Sequence, residues 1–336
     1  MSERRPTVLA VDGNSLGHRA FHSLGDAAGG DHTMVGAVVS MFASVWRHGP
    51  YDGVLVAFDH PVNRRRDDWP EYKANRSADP GIAPALDRLR DDLEAVGIPV
   101  VHEHGAEADD LLAATADEVG TLGWRVDLLS SDRDLIALVD GHVRLLRPRQ
   151  TFADLVVEDP DRVRVDHGIE PRQYHDLAAL RGDTSDGLGG VVGIGPAIAA
   201  RLLREHGDVE GLYAALTDLP PRIESALRAA RPDVERNLLL MAPLPHLQVD
   251  VRPCVDVWDP ARVRDRLDGL GEATAARRLW RAITEPLPPV APPPPAPPWE
   301  QPRDGSDDPR PARKNRELVP RHTSSATTAQ DALFEA

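Results

Sequence analysis

The sequence predicts an α/β fold, a parallel sheet flanked by helices on both faces, continued by a helical region and a proline-rich tail. Three observations carry this. Short apolar runs ending in an acid recur as "TVLAVD" (7–12), "GVLVAFD" (53–59) and "WRVDLLSSD" (124–132), and such runs suit strands buried on both faces. Stretches with helical spacing separate them, and strand–helix alternation implies parallel pairing. After Val157 the texture changes to helices with glycine-rich joints, up to about Ile283.

Taken in order, the helical stretches are "MVGAVVSMFASVW" (34–46), "APALDRLRDDLEAVG" (83–97) and "EADDLLAATADEVG" (107–120). The last sets Leu111, Leu112, Thr115 and Val119 on one face. Gly97 and Gly120 stand where left-handed caps would close two of these helices. "IPVV" (98–101) reads as a further short strand. Nine prolines within 286–298 make a stiff polyproline II spacer. The polar remainder lacks apolar periodicity and reads as disordered. The expected domains are therefore 1–157, 158–284 and 285–336.

Acids outnumber bases 54 to 39 in 336 residues, a net charge of −15. That argues against a protein that coats DNA through a uniformly basic surface, unless the acids converge on metal ions that invert the local field. The one cysteine, Cys254, excludes an intrachain disulfide framework and a cysteine-rich zinc site. The N-terminus lacks an apolar signal core, and no run approaches the roughly 20 residues of a membrane span. A soluble cytoplasmic protein, with no membrane partner, is expected.

In an open parallel sheet, ligands bind beyond the carboxyl ends of the strands. Asp12, Asp59 and Asp132 stand at such ends. Glu107, Asp109 and Asp110 begin a helix in "HGAEADDLL" (104–112), where one acid would already complement the helix dipole by about 0.3–1 kcal/mol. Asp134 follows Asp132 closely, and Asp183 and Asp186 share the loop "RGDTSDG" (181–187). Each alone is an ordinary cap, turn or polar loop. Together on one rim they cannot all stay ionised without counter-charge. Divalent cations supply it, and oxygen ligands without His or Cys point to Mg²⁺ or Mn²⁺ rather than zinc.

Other chemistries fit less well. Asn14 stands where an aspartate-nucleophile phosphatase needs its second Asp, and the "GK[ST]" of a P-loop is absent. His102 and His104 beside Glu103 read as solvated loop residues. Ser130–Ser131 has no relay nearby in sequence, so no nucleophile is assigned.

Two stretches suit nucleic acid. "NRRRDDWPEYKANR" (63–76) interleaves Arg64, Arg65, Arg66, Lys73 and Arg76 with Trp69 and Tyr72, bases for phosphates and aromatics for unstacked nucleobases. Asp67, Asp68 and Glu71 nearly cancel its charge. "GVVGIGPAIAARLL" (190–203) sets Ile194 between Gly193 and Gly195 ahead of a helix with Ala199 and Ala200. That is the pattern of a helix–hairpin–helix turn, whose backbone N–H groups approach a DNA phosphate.

With these motifs assembled, the chain resembles the 5′-nuclease family, which includes the 5′→3′ exonuclease domain of bacterial DNA polymerase I and the flap endonucleases. "VDGNSLGHRAFHSL", "AFDHPVNRRRDDWPEYKANR", "EADD", "SSDRD" and "GDTSDGLGGVVGIG" occur in the family's order. The resemblance implies a PIN-like nuclease domain with a helical arch over 1–157, a helical H3TH DNA-binding subdomain over 158–284, and a disordered tail. It implies two Mg²⁺ (or Mn²⁺) ions per active site, about 4 Å apart. The first would draw on Asp12, Asp59, Glu107, Asp109 and Asp110, the second on Asp132, Asp134, Asp183 and Asp186. Lys73 and Arg76 are implied as catalytic cations on the scissile phosphate, and Tyr72 as a platform for a displaced base. Gly193, Ile194 and Gly195 would hold the duplex, with K⁺ sharing the phosphate contact.

The implied activity is two-metal hydrolysis of DNA with 5′ ends, flaps or nicks to 5′-phosphate and 3′-hydroxyl products, in replication or repair. A stand-alone monomer is expected, its tail a docking segment for a protein partner. The chain departs from the family at Ala197, where a lysine is usual, at "DGLGG" (186–190), and at Ala106, where an aromatic is frequent. Two alternatives stay open at this point. One is a PIN-like ribonuclease, set apart by the helix–hairpin–helix. The other is a non-catalytic branched-DNA binding protein, which would gain nothing from concentrated negative charge.

Because the proline spacer cannot join a packed core, deleting everything after Glu285 is expected to leave melting temperature and nuclease activity unchanged. A large fall in melting temperature would show that the tail packs on the body.

Overall fold

The computed structural model describes residues 4–25, 33–74, 79–152 and 154–285. Its strands are β1 (Thr7–Asp12), β2 (Gly53–Ala57), β3 (Val100–Val101), β4 (Arg125–Leu129), β5 (Val143–Pro148) and β6 (Leu155–Glu158), in one sheet of order β3-β2-β1-β4-β5-β6. β1 pairs in parallel with β2 and β4, β2 with β3, and β4 with β5. β6, which is not among the strands expected from sequence, runs antiparallel to β5 at the edge of an otherwise parallel sheet. The connection from β5 to β6 is too short for the crossover that a parallel pair needs. Arg144 and Arg147 interrupt the apolar pattern of β5 and hide it in the sequence.

Alternate residues along each strand point to opposite faces, and the sheet fills two cores accordingly. Val8, Ala10, Leu55, Ala57, Val126, Leu128 and Leu145 serve one, while Leu9, Val11, Val54, Val56, Leu129 and Leu146 serve the other. The second core is closed by α1 (Gly13–Leu24), α2 (Thr33–Val45) and α4 (Ile82–Val96), through side chains such as Leu16, Phe42 and Leu93. The short α3 (Arg64–Asp68) lies between β2 and α4 in the chain. The first core is closed by α5 (Ala108–Leu122), α7 (Tyr174–Arg181), α8 (Pro196–His206), α9 (Val209–Ala214) and α10 (Pro221–Met241), with Val163 of α6 (Pro160–His167) and Cys254 of α11 (Arg252–Asp256). The last helices, α12 (Pro260–Gly269) and α13 (Ala273–Thr284), return to the α1–α2–α4 face through Val263, Leu267 and Leu279. Residues 158–284, expected to form one helical subdomain, thus pack on both faces of the sheet.

Gly97 closes α4 in a left-handed conformation, as its position implies. Gly120 does not close α5. That helix runs one turn further, and Gly123 takes the left-handed cap with φ 66. Within β4, Asp127 is buried but not unpaired. Arg144 grips its two oxygens at 2.8 and 2.6 Å, and the Tyr51 hydroxyl donates to it at 2.7 Å. Among the described residues no helix is long and apolar enough to cross a membrane.

The loop after α7 folds back on the helix that it leaves. Asp183 bridges Leu188, and the Val191 N–H donates to Leu180 O at 2.8 Å. Gly190 makes this possible, because a Cβ there would lie 2.0 Å from Arg181 O. Gly190→Ala is therefore expected to cost about 1–3 kcal/mol, the usual scale of overpacking, read as a lowered midpoint in urea. An unchanged midpoint would mean that the loop is held differently.

Candidate active site

Strand order reverses between β1 and β4, and at such a point the carboxyl ends of the strands leave an open crevice. Asp12 ends β1 and caps α1, accepting the Ser15 N–H on Oδ1 at 2.8 Å and the Ser130 hydroxyl on Oδ2 at 2.6 Å. Asp59 follows β2. The Ala108 N–H, first in α5, donates to its Oδ1 at 2.7 Å, and its own N–H donates to Asn14 Oδ1 at 2.9 Å. Asp132, beyond β4, accepts the Asp134 N–H at 2.9 Å. Asp183 is held by the Ser185 N–H at 2.8 Å.

Asp12, Asp59, Glu107, Asp109, Asp132 and Asp183 line one cleft of about 1080 Å³. Asp134 and Asp186 line an adjoining small pocket of about 30 Å³ that Glu107, Asp109, Asp110 and Asp132 also line. Burial pushes the Asp12 carboxyl up to about 7, with Asp59 and Asp132 adding repulsion. Asp134 is likewise pushed up to about 7, by burial and then by Asp132, Asp183 and Asp186. Asp109 is raised well above the carboxylate range, by burial first and then by Asp132 and Asp12. Its Oδ1 is buried and has no hydrogen-bond partner among the described residues.

The three acids that open α5 have different fates. Asp110, expected as a metal ligand, has both oxygens filled. Arg65 donates to them at 2.7 and 2.8 Å, and the Leu244 and Glu107 N–H groups donate at 2.9 Å each. Burial opposes its charge, but these bonds outweigh burial and hold the carboxyl below its ordinary range. With each oxygen already taking two donors, no lone pair remains for a cation, so Asp110 is corrected to a structural acid. Glu107 pairs with Lys73 at 2.5 Å and Arg65 at 3.0 Å. Of the three, Asp109 alone has an oxygen without a donor among the described residues, whereas Glu107, also expected as a ligand of the first ion, is committed to the two cations.

Two nucleic-acid expectations fall with this network. Arg65 is only 9% exposed and donates also to Leu240 O and Ala242 O, at 2.8 and 2.7 Å, so it ties elements together and does not face DNA. Tyr72 is 6% exposed, its hydroxyl donating to Glu107 at 3.3 Å and its ring lying under the Lys73 ammonium. It offers no free face for stacking. Lys73 lines the cleft and holds a left-handed backbone (φ 56), uncommon for a residue with a Cβ. Arg64 and Arg66 are exposed, and Arg76 lies outside the described residues. In the hairpin, Gly193 and Gly195 are exposed. Ile194 is buried and spends its N–H on Val191 O at 3.0 Å. Its side chain anchors the turn, and neither that side chain nor its N–H is turned outward for a duplex.

Arg19, Arg133 and Arg181 also line the cleft and were not among the candidates. Signals existed: Arg133 sits between Asp132 and Asp134, and Arg181 precedes Asp183 by two residues.

Among the described residues no three His, Cys, Asp or Glu side chains close into a ready-made metal cage. The acids form an open rim. Its donors nevertheless fit a hard cation that keeps part of its water: they are all oxygens, one is buried without a partner among the described residues, and burial with mutual repulsion raises Asp12 and Asp134 even with Lys73 and Arg181 on the same cleft.

Two family models match the chain in succession, 5′-3′ exonuclease, N-terminal resolvase-like domain over residues 7–167 and 5′-3′ exonuclease, C-terminal SAM fold over 169–259. DNA polymerase I of Mycobacterium tuberculosis is 36% identical over 291 residues, covering 83% of this chain and 32% of that protein. The chain thus spans about a third of that relative's length. The T5 D15 protein co-crystallised with metal ions superposes with a TM-score of 0.58 at 24% identity, covering 83% of this chain and 100% of that one. The catalytic core of Rad2 in complex with DNA substrate gives 0.54 at 15% identity, covering 83% and 93%. At these identities the likeness is one of fold.

The raised carboxyls make cation binding depend on pH. Between the ordinary carboxylate range and about 7, the folded protein holds protons on Asp12 and Asp134 that the unfolded chain has released. The stability from these groups is present at low pH and lost as pH rises through about 7. A divalent cation must displace those protons below that pH but not above it. The gain in melting temperature from Mn²⁺ is therefore expected to be larger at about pH 8 than at about pH 5.5. Equal gains would contradict the burial of these groups.

Proposed function

The chain belongs to the 5′-3′ exonuclease family, and from that premise we propose that it is a divalent-metal-dependent nuclease acting on DNA with 5′ ends, flaps or nicks. It hydrolyses the phosphodiester to a 5′-phosphate and a 3′-hydroxyl. One observation carries the reading: carboxylates from five separate segments, Asp12, Asp59, Glu107 with Asp109, Asp132 and Asp183, line one cleft together with Lys73, Arg19, Arg133 and Arg181.

Asp12, Asp59 and Asp109 would hold a first Mg²⁺ or Mn²⁺, and Asp132, Asp134, Asp183 and Asp186 a second. When bound, these ions would ionise an attacking water and neutralise the leaving oxygen. The chain's own groups do the remaining work. Asn14 and the Ala108 N–H fix the Asp59 carboxylate. Glu107 holds the Lys73 ammonium against burial, which opposes its charge, and keeps it above its ordinary range. Lys73 therefore stays cationic while it faces the scissile phosphate, joined by Arg76. The exposed Arg64 and Arg66 attract the strand beyond.

The hairpin holds the duplex through its backbone, with K⁺ sharing the phosphate contact. Gly195 supports this role. Its φ is an ordinary −86, and a Cβ would meet nothing within 4 Å. Its own fold does not require glycine there, whereas an approaching phosphate backbone would.

Cleavage of a 5′-flap duplex is expected with Mg²⁺, and none in chelator or in the Asp132→Asn/Asp134→Asn variant, which should fold normally. Undiminished turnover in that variant, or a preference for single-stranded RNA, would sink the assignment. Gly195→Ala is expected to leave the melting temperature unchanged and weaken duplex binding; equal affinity would remove the hairpin from the interface.

A further inference from the structure

We infer that Ser130 is a positioning residue that sets the two halves of the acid rim relative to each other. The inference rests on the metal-dependent reading above and concerns how the chain holds its carboxylates for that purpose. Ser130 is the first residue beyond β4 and is fully buried. The parallel ladder between β1 and β4 ends at Val11 opposite Leu129, so Asp12 and Ser130 form the next pair, where the backbone ladder has stopped. The side chains continue it. The Ser130 hydroxyl donates to Asp12 Oδ2 at 2.6 Å and accepts the Asp132 N–H at 3.0 Å.

The direction of these bonds is determined by chemistry. A backbone N–H can only donate and, once Asp12 is ionised as a bound cation would require, its carboxylate can only accept, so the single hydroxyl proton goes to Asp12. The Ser130 N–H in turn donates to Leu146 O on β5 at 3.3 Å, which anchors the residue from behind. One buried hydroxyl therefore links the ends of β1 and β4 at the strand-order reversal. It orients an acid of the first proposed ion and fixes the backbone of an acid of the second. Asp12 Oδ1 keeps its separate bond from the Ser15 N–H, so loss of Ser130 would loosen one carboxylate oxygen and the Asp132 turn without dismantling the cap of α1. The same geometry explains why Ser130 is no nucleophile: its proton is committed and its oxygen is buried.

Mn²⁺ binding by the full chain, measured calorimetrically, separates this role from a merely structural one. Ser130→Ala is expected to weaken Mn²⁺ binding about 10–100-fold, the usual effect of losing an outer partner of a metal ligand, with the melting temperature in chelator nearly unchanged. Ser130→Thr, which keeps the hydroxyl, is expected to restore the affinity. Should Ser130→Ala fail to fold, Ser130→Cys, similar in shape but a weak donor, is read instead with the same expected loss. Unchanged affinity in the Ala or Cys variant, or a Thr variant as weak as Ala, overturns the role of Ser130. A wild-type chain that binds no Mn²⁺ overturns the metal-dependent reading itself, and this inference with it.

Discussion

Repulsion among carboxylates gathered at one end of a crevice is the constraint on which the rest of the structure depends. The chain neutralises part of that charge with its own cations. Glu107 and Asp110 are matched by Lys73 and Arg65 in a buried network in which both Asp110 oxygens are fully bonded. Such a network costs desolvation that only complete hydrogen bonding repays, and removing one member would leave an unpaired charge inside. Asp12, Asp109 and Asp134 form no ion pair among the described residues, and burial with mutual repulsion raises their carboxyls despite Lys73 near Asp109 and Arg181 near Asp134. Their state is resolved by protons at low pH, or by bound cations.

The fold delivers these groups through features that are individually simple. Parallel strands end together, so acids at the ends of β1 and β4 meet where the strand order reverses. The N-terminus of α5 offers the Ala108 N–H to Asp59, a favourable place for negative charge. Arg65 extends the charge network to the carbonyls of Leu240 and Ala242 at the end of α10. The interaction that balances the acids therefore also fastens the helical region to the sheet.

Much of this is legible in the sequence, for identifiable reasons. β1, β2 and β4 read correctly because strands buried on both faces are continuous apolar runs, and each stops at an acid. That rule accounts for Asp12, Asp59 and Asp132, while Glu107, Asp109, Asp183 and Asp186 come from a helix start and a loop. Asp109 and Asp110 could not be told apart, since neighbouring helical residues point about 100° apart and only the position of Arg65 decides which is spent. Nor could "RRR" reveal that its middle member turns inward, because the phase of α3 is set by contacts with residues some 175 positions away. Arginine-bearing β5 and the return of α12 and α13 to the other face depend equally on tertiary partners. Ile194 misled for a different reason: a hairpin needs an apolar anchor, and the anchor lies among the glycines that face outward.

In the proposed arrangement the rim holds two divalent cations and Asp110 holds none. Anomalous scattering from crystals of the protein soaked in Mn²⁺ tests it most directly. One peak is expected beside Asp12, Asp59 and Asp109, a second beside Asp132, Asp134, Asp183 and Asp186, and the Arg65–Asp110 pair intact. An ion seated on Asp110 with Arg65 displaced, or a crevice without manganese, would contradict it.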